Sequence, residues 1–249
     1  MKEEQLLRGQ IEDKISQCEN QYIPVHTTFL DAHQQSLARI LIGKRPFHGT
    51  LTFYGGYEDA DRVIMACLPD YTCIEEYNPL TVIRATTSDG SRPLTHRDYL
   101  GSLVGLGIKR EMTGDILVRE DGADIIVLED IAQFIMNHYV KAGRTSLSLT
   151  EHSISELMIP KQNRKIINDT VASLRLDNII ASTFKLSRSK AVEAISRGLV
   201  FVNHIEMTKA DVKIAEGDVI TLRGKGKVKL VEIGGKSRKD RQYIVLEQY

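Results

Sequence analysis

The sequence predicts an α+β chain of several domains: a small N-terminal α/β unit over residues 1–78, a ferredoxin-like βαββαβ middle domain over 79–152, a linker over 153–170 and a C-terminal domain of short helices and strands over 171–249. Three observations lead there. At 249 residues the chain is long for one ordinary core. Between Leu80 and Glu151 the hydrophobic period switches in the order strand, helix, strand, strand, helix, strand, which is the split βαβ arrangement. The charge also divides. Residues 1–159 hold 15 Lys+Arg against 23 Asp+Glu, a balance of −8, and residues 160–249 hold 18 against 10, a balance of +8.

In the N-terminal unit, Leu6, Leu7, Ile11, Ile15 and Cys18 recur near helical spacing among charges, the pattern of an amphipathic helix. Asp31 is a good N-cap for a second helix, DAHQQSLARILIG, ending near Gly43 ahead of Pro46. TLTFYGGY and RVIMACLP read as extended runs. In the middle domain LTVIRATTS is a strand. LTHRDYLGSLVGLG is a helix with Thr95 and Asp98 at capping-box spacing, and its glycines are expected to allow close packing and a C-terminal turn. DILVRE and ADIIVLE form a hairpin through Asp121-Gly122. EDIAQFIMNHYVKAG is a helix closed at Gly143, and TSLSLTE is the last strand. Phe29, Phe53, Tyr54 and Phe134 are assigned to the core. Tyr54 and Tyr57 around Gly55-Gly56 suit either a half-buried turn or a stacking platform for a base. Ser155–Ser173, with Pro160 and KQNRK, reads as a linker or edge strand.

In the basic C-terminal part, RLDNIIASTF puts Leu176, Ile179, Ile180 and Phe184 on one helical face. Ser187 caps a second helix, RSKAVEAISR, with Ala191, Val192, Ala194 and Ile195 facing inward and Gly198 ending it. Arg188 and Lys190 fall in its first turn, where the macrodipole disfavours cations by about 0.3–1 kcal/mol each. A helix start with added cations suits a phosphate, so an external polyanion explains them better than the fold does. Arg223, Lys225, Lys227 and Lys229 alternate, so an extended segment would carry all four on one face, with Val228 and Leu230 on the other. Lys236, Arg238, Lys239 and Arg241 make the tail a basic hairpin loop. Nucleic acid is the first expected partner of such a region, ahead of a membrane surface.

The composition, 42% apolar and 27% charged, is that of a soluble globular chain. DIIVLEDIAQFIMNHYV is interrupted by Glu129, Asp130, Asn137 and His138 and is no bilayer span. MKEEQLLRGQ is polar and acidic, unlike a signal peptide, so a cytoplasmic location is expected. Cys18, Cys67 and Cys73 are odd in number without a CxxC pair, which predicts reduced thiols. The histidines lack HExxH or zinc spacing, so neither metal nor cofactor is expected. Arg175-Leu176-Asp177 superficially matches the Arg-x-Asp of pseudouridine synthases. GSLVGLG lies within a helix instead of between strand and helix, and GGKS lacks the first glycine of a P-loop because Leu230 stands there. No catalytic residue is expected.

RLDNIIAS…LSRSKAVEAISRGLVFVN…DVKIAEGDVITLRGKG resembles the S-four RNA-binding domain, an αL-type module, over about Arg175 to Gly226. The resemblance implies that its two helices form an RNA-binding face, onto which Arg175, Lys185, Arg188 and Lys190 map. The candidate RNA-binding set is completed from the charge pattern by Ser187, Arg197, Arg223, Lys225, Lys227 and Lys229. Upstream, FYGGYEDADR and HRDYLGSLVGLGIKREMTGDILV are similar to signatures of the YlmH family, which extends the resemblance to nearly the whole chain. It implies a non-catalytic protein binding ribosomal RNA and the large ribosomal subunit, in a family linked to quality control of stalled large subunits that still carry peptidyl-tRNA and encoded among cell-division genes in many Gram-positive bacteria. Whether tRNA is itself contacted stays open. The ferredoxin-like fold hosts common single-strand RNA readers, yet DILVRE and ADIIVLE lack their stacking aromatics. Two rival readings remain. One is an RNA-modifying enzyme of pseudouridine synthase or methyltransferase type, using the C-terminal domain for targeting. The other is a cell-division adaptor whose acidic N-terminal half binds a protein.

Overall fold

The computed structural model describes residues 2–43, 46–87, 93–160 and 165–248. They form two compact units, Met1–Pro160 and Lys161–Tyr249.

The first unit contains α1 (Lys2–Gln21), β1 (Val25–His26), α2 (Ala32–Ile42), β2 (Thr50–Tyr54), β3 (Ile64–Leu68), α3 (Ile74–Tyr77), β4 (Leu80–Thr87), α4 (His96–Gly105), β5 (Thr113–Val118), β6 (Gly122–Leu128), α5 (Glu129–His138), β7 (Lys141–Ala142) and β8 (Thr145–His152). The helical stripe of α1 selects Leu7, Ile11, Ile15 and Cys18, which pack with Ala38 of α2 on Met65 and Cys67 of the antiparallel sheet β1-β3-β2. Leu6 falls off that stripe and is exposed. At the start of α2, Asp31 and Gln34 close a reciprocal box with two 2.9 Å bonds.

The second sheet of this unit runs β5-β6-β4-β8-β7. Without the two-residue β7, this is the antiparallel order of a ferredoxin-like domain. Its register pairs Val82 with Ile126 and Arg84 with Asp124. Alternation then sends Ile83, Ala85, Ile125 and Val127 under α4 and α5, against Tyr99, Leu103, Ala132 and Ile135. It sends Leu80, Val82, Ile126 and Leu128 to the opposite face, where Phe29, Ile64 and Ile154 cover them. Both faces of β6 are therefore buried, which is why ADIIVLE reads as a continuous apolar run.

FYGGYEDADR and REMTGDILV meet along this cover. Tyr57 donates to Asp115 at 2.8 Å, as does the Asp61 amide at 2.7 Å. Arg62 reaches the carbonyls of Phe29 and Thr113, both at 3.1 Å, and Arg110 bonds Thr113 Oγ1 at 2.7 Å and the Gly114 carbonyl at 2.9 Å. Glycine is needed at 114, because a Cβ there would stand 2.7 Å from the Phe29 ring. Burial, with Arg62 close by, pushes the Arg110 pKa down to about 10, and burial pushes the Asp115 carboxyl up. These two signature stretches form a seam, and Tyr57 is a half-buried turn residue within it.

Three expectations in this unit need correction. The fifth helix stops at His138, and Gly143 instead sits at φ +58 in the β7–β8 turn. Phe134, expected in the core, is 44% exposed, because α5 is apolar on more than its buried side. Gly101 and Gly105 serve no close packing, since nothing lies within 4 Å of a Cβ at either. Among the described residues no helix is long and apolar enough to cross a membrane.

The second unit contains β9 (Lys165–Val171), α6 (Leu176–Thr183), α7 (Arg188–Ser196), β10 (Val200–Val202), β11 (Ile205–Glu206), β12 (Val219–Leu222), β13 (Gly226–Lys236) and β14 (Gln242–Gln248), with sheet order β11-β10-β12-β13-β14-β9. The stretch 165–170, within the segment read as a linker or edge strand, belongs to the edge strand β9, which pairs with β14 from Val171↔Gln242 to Lys165↔Gln248. The pairing covers β14 and leaves β9 as the edge of the sheet. The rest of the KQNRK run lies outside the described residues. At 8 and 9 residues, α6 and α7 are too short to persist alone. Leu176, Ile179, Ile180, Ala191 and Ile195 hold them on Val200, Ile220, Leu222, Val228, Leu230, Ile244 and Leu246. Each large side chain so buried contributes about 1.5–3 kcal/mol. Val192, expected inward, is 40% exposed.

Candidate nucleic-acid interface

The two short helices are joined at their N-terminal ends by one carboxylate. Asp177, in the first turn of α6, has a side chain 1% exposed and accepts from Arg175 Nε at 3.0 Å, Arg175 Nη2 at 3.3 Å and Arg188 Nε at 3.0 Å. Burial alone would raise its pKa, but the hydrogen bonds from the two arginines outweigh that and hold it below the usual carboxylate range. The arginines stay open to solvent, with side chains 41% and 64% exposed. Arg188 therefore has a role in the fold as well, where an external anion was expected to explain it better than the fold does.

Around this clamp the local backbone presents further cations. Phe184 ends α6, and Lys185 follows at φ +50, a left-handed position at which glycine is usual. A lysine there carries conformational strain of about 1 kcal/mol and gains no packing, since it is exposed. Ser187 caps α7 by accepting from the Lys190 amide at 3.3 Å, which leaves the Lys190 side chain exposed in the first turn. Arg175, Ser187, Arg188 and Lys190 thus flank the N-termini of α6 and α7, both positive dipole ends, and Lys185 lies in the short loop between the α6 C-terminus and Ser187. Lys213, which sequence reasoning missed, bridges Arg175 through the backbone. The only local signal was its place in DVKIAEGD.

The remaining candidates lie elsewhere. Arg197 is the C-cap of α7, at the other end of the helix, and pairs with Glu193 at 3.4 Å. Arg223 stands 5.2 Å over the Phe201 ring, and its amide bonds the Leu199 carbonyl. The expected row of four cations does not form. Arg223 and Lys225 are in the β12–β13 turn, because Gly224 at φ +81 and Gly226 at φ +121 bend the chain. Lys227 and Lys229 alone are on β13, alternating with buried Val228 and Leu230 and so facing away from α6 and α7, with Lys229 opposite Glu247.

Residues 81–156 match the family model described as "Putative RNA-binding domain in YlmH", and residues 174–220 match the S4 domain model. The solved structure of "Cell division protein ylmH from Streptococcus pneumoniae" is similar at 27% identity and a TM-score of 0.51, covering 63% of this chain and 94% of that one. A curated Bacillus subtilis (strain 168) protein, "Ribosome-associated protein quality control protein P2", is 35% identical over 231 residues, 92% of this chain and 89% of the relative. Identity at that level along almost the full length of both chains, with both domain models in order, means that the chain belongs to the YlmH family.

Proposed function

We propose that this chain is a non-catalytic, ribosome-associated RNA-binding protein that grips structured ribosomal RNA of the large subunit through the α6–α7 end of its C-terminal unit. The observation that carries the reading is the Asp177 clamp. It orients Arg175 and Arg188 through their inner edges while their outer edges remain open beside Lys185 and Lys190. Guanidinium groups so pre-oriented lose little freedom on meeting a phosphate. The name of the Bacillus subtilis relative favours a place in ribosome-associated quality control, and large subunits carrying peptidyl-tRNA are the target that the family resemblance implies.

Co-sedimentation of the full chain with purified large subunits tests this. Lys185→Glu with Arg188→Glu should abolish it at moderate salt. Unchanged sedimentation of that double variant would sink the assignment of the site.

A further inference from the structure

On the sheet face away from α4 and α5, the matched RNA-binding segment 81–156 is covered at β4 and β6 by Phe29, Ile64 and Ile154. Its opposite layer holds a cleft of about 520 Å³ between α4 and the α5–β7 corner. That volume lies within the usual range of small-ligand sites, about 300–1,000 Å³. Arg97 and Lys141 line it, and among the described residues neither has a carboxylate within ion-pair distance. Asp98, the acid on its wall, is engaged by the Thr95 amide at 2.7 Å and the Thr95 hydroxyl at 2.8 Å.

The imidazole of His138 lines the cleft and stacks on the exposed ring of Phe134, with centroids 4.5 Å apart and planes at 22°. The floor is bare: Gly101 and Gly105 sit one turn apart on α4 with open space above both. Glycine weakens a helix interior, and no neighbour in the fold calls for it at these two places.

We infer that this cleft binds a nucleotide of single-stranded RNA, with a base stacked on the His138–Phe134 pair, the phosphate on Arg97 and Lys141, and the sugar–phosphate chain lying over Gly101 and Gly105. Aromatic stacking beside cations is the chemistry of single-strand binding. A protein segment could use the apolar rim, but it would leave both cations without counter-charge. The site stands on residues of the first unit alone and goes beyond the reading of α6 and α7.

The test uses the full chain and an end-labelled oligouridylate. Ultraviolet crosslinking should map to peptides covering 97–106 and 134–144. Arg97→Glu with Lys141→Glu should remove those crosslinks and weaken binding about tenfold or more at low salt, while crosslinks within 175–197 persist. Gly101→Gln should also weaken binding with the Tm unchanged or raised, whereas a merely structural glycine would lower the Tm on replacement. Crosslinks confined to 165–248, or wild-type affinity in the double variant, would overturn the inference. So would loss of ribosome co-sedimentation with oligouridylate binding intact, which would make the cleft a protein contact. Failure of the Lys185 and Arg188 variants to affect large-subunit binding bears only on the C-terminal reading.

Discussion

The chain builds the same trio twice, an aspartate holding two arginines, and uses it differently in its two units. In the first, Asp124 has a fully buried side chain. It accepts from Arg84 in a fork of two 2.9 Å bonds and from Arg119, and both arginine side chains are only 12% exposed. The Met158 amide adds a fourth bond at 2.9 Å. In the second, Asp177 is as buried, but its arginines are several times more exposed. Burying the cations with their acid makes a lock across β4, β6 and the turn that joins β5 to β6. Burying the acid alone makes a mount that presents cations outward. Burial of the arginines separates a structural trio from a binding one, and the pairing distances do not.

The comparison is sharpest in stability. Asp124→Ala strands two buried guanidinium groups and should cost about 3–5 kcal/mol, read by chemical denaturation of the full chain. Asp177→Ala should cost less, about 1–3 kcal/mol, because Arg175 and Arg188 can return to water. Amide exchange in α6 and α7 would report it, and a loss equal to that of Asp124→Ala would break the distinction.

Acid should loosen both trios next. Both carboxylates have folded pKa values below the ordinary value, because arginine hydrogen bonds outweigh burial, so each contributes stability present above about pH 4 and lost as pH falls through the depressed value. Amide protection in α6 and α7 should therefore fall below about pH 4, and Asp177→Asn should flatten that dependence. A protection profile unchanged by the substitution would remove Asp177 from the account.

Arg188→Gln with Lys190→Gln should lower the slope of log affinity against log salt for ribosomal RNA by about 1–2. Its effect on stability should stay within about 1 kcal/mol, and that part belongs to Arg188 because of its bond to Asp177. Lys225→Ala, in the β12–β13 turn, should change the slope by less than about 1 and stability by less than about 0.5 kcal/mol. A larger effect there than at Arg188 would move the interface toward the turn.

The candidate site was legible where its signals are local. Ser187 as a cap, the cations after it and the apolar stripe of α6 all follow from neighbours within a turn or two. The clamp was not, because Arg175 and Arg188 meet Asp177 only once two helices pack, and an early-turn aspartate reads equally well as a dipole partner. The row from Arg223 to Lys229 failed because alternation predicts a shared face only if the strand is unbroken, and two glycines at positive φ break it. Phe134 failed because helical period identifies an apolar face without saying whether anything covers it.

The sequence by itself determined the order of elements, the capping boxes, the opposed charge of the two parts and the motif of the C-terminal module, since each depends on spacings of a few residues. Tertiary structure alone decided that β9 adds to the sheet beside β14, that Phe29 covers one face of β4 and β6 and that Asp177 faces two arginines outward. Those outcomes join segments from about ten to more than seventy residues apart, and they are chosen by which arrangement buries the most apolar surface while giving the buried aspartates their arginine partners.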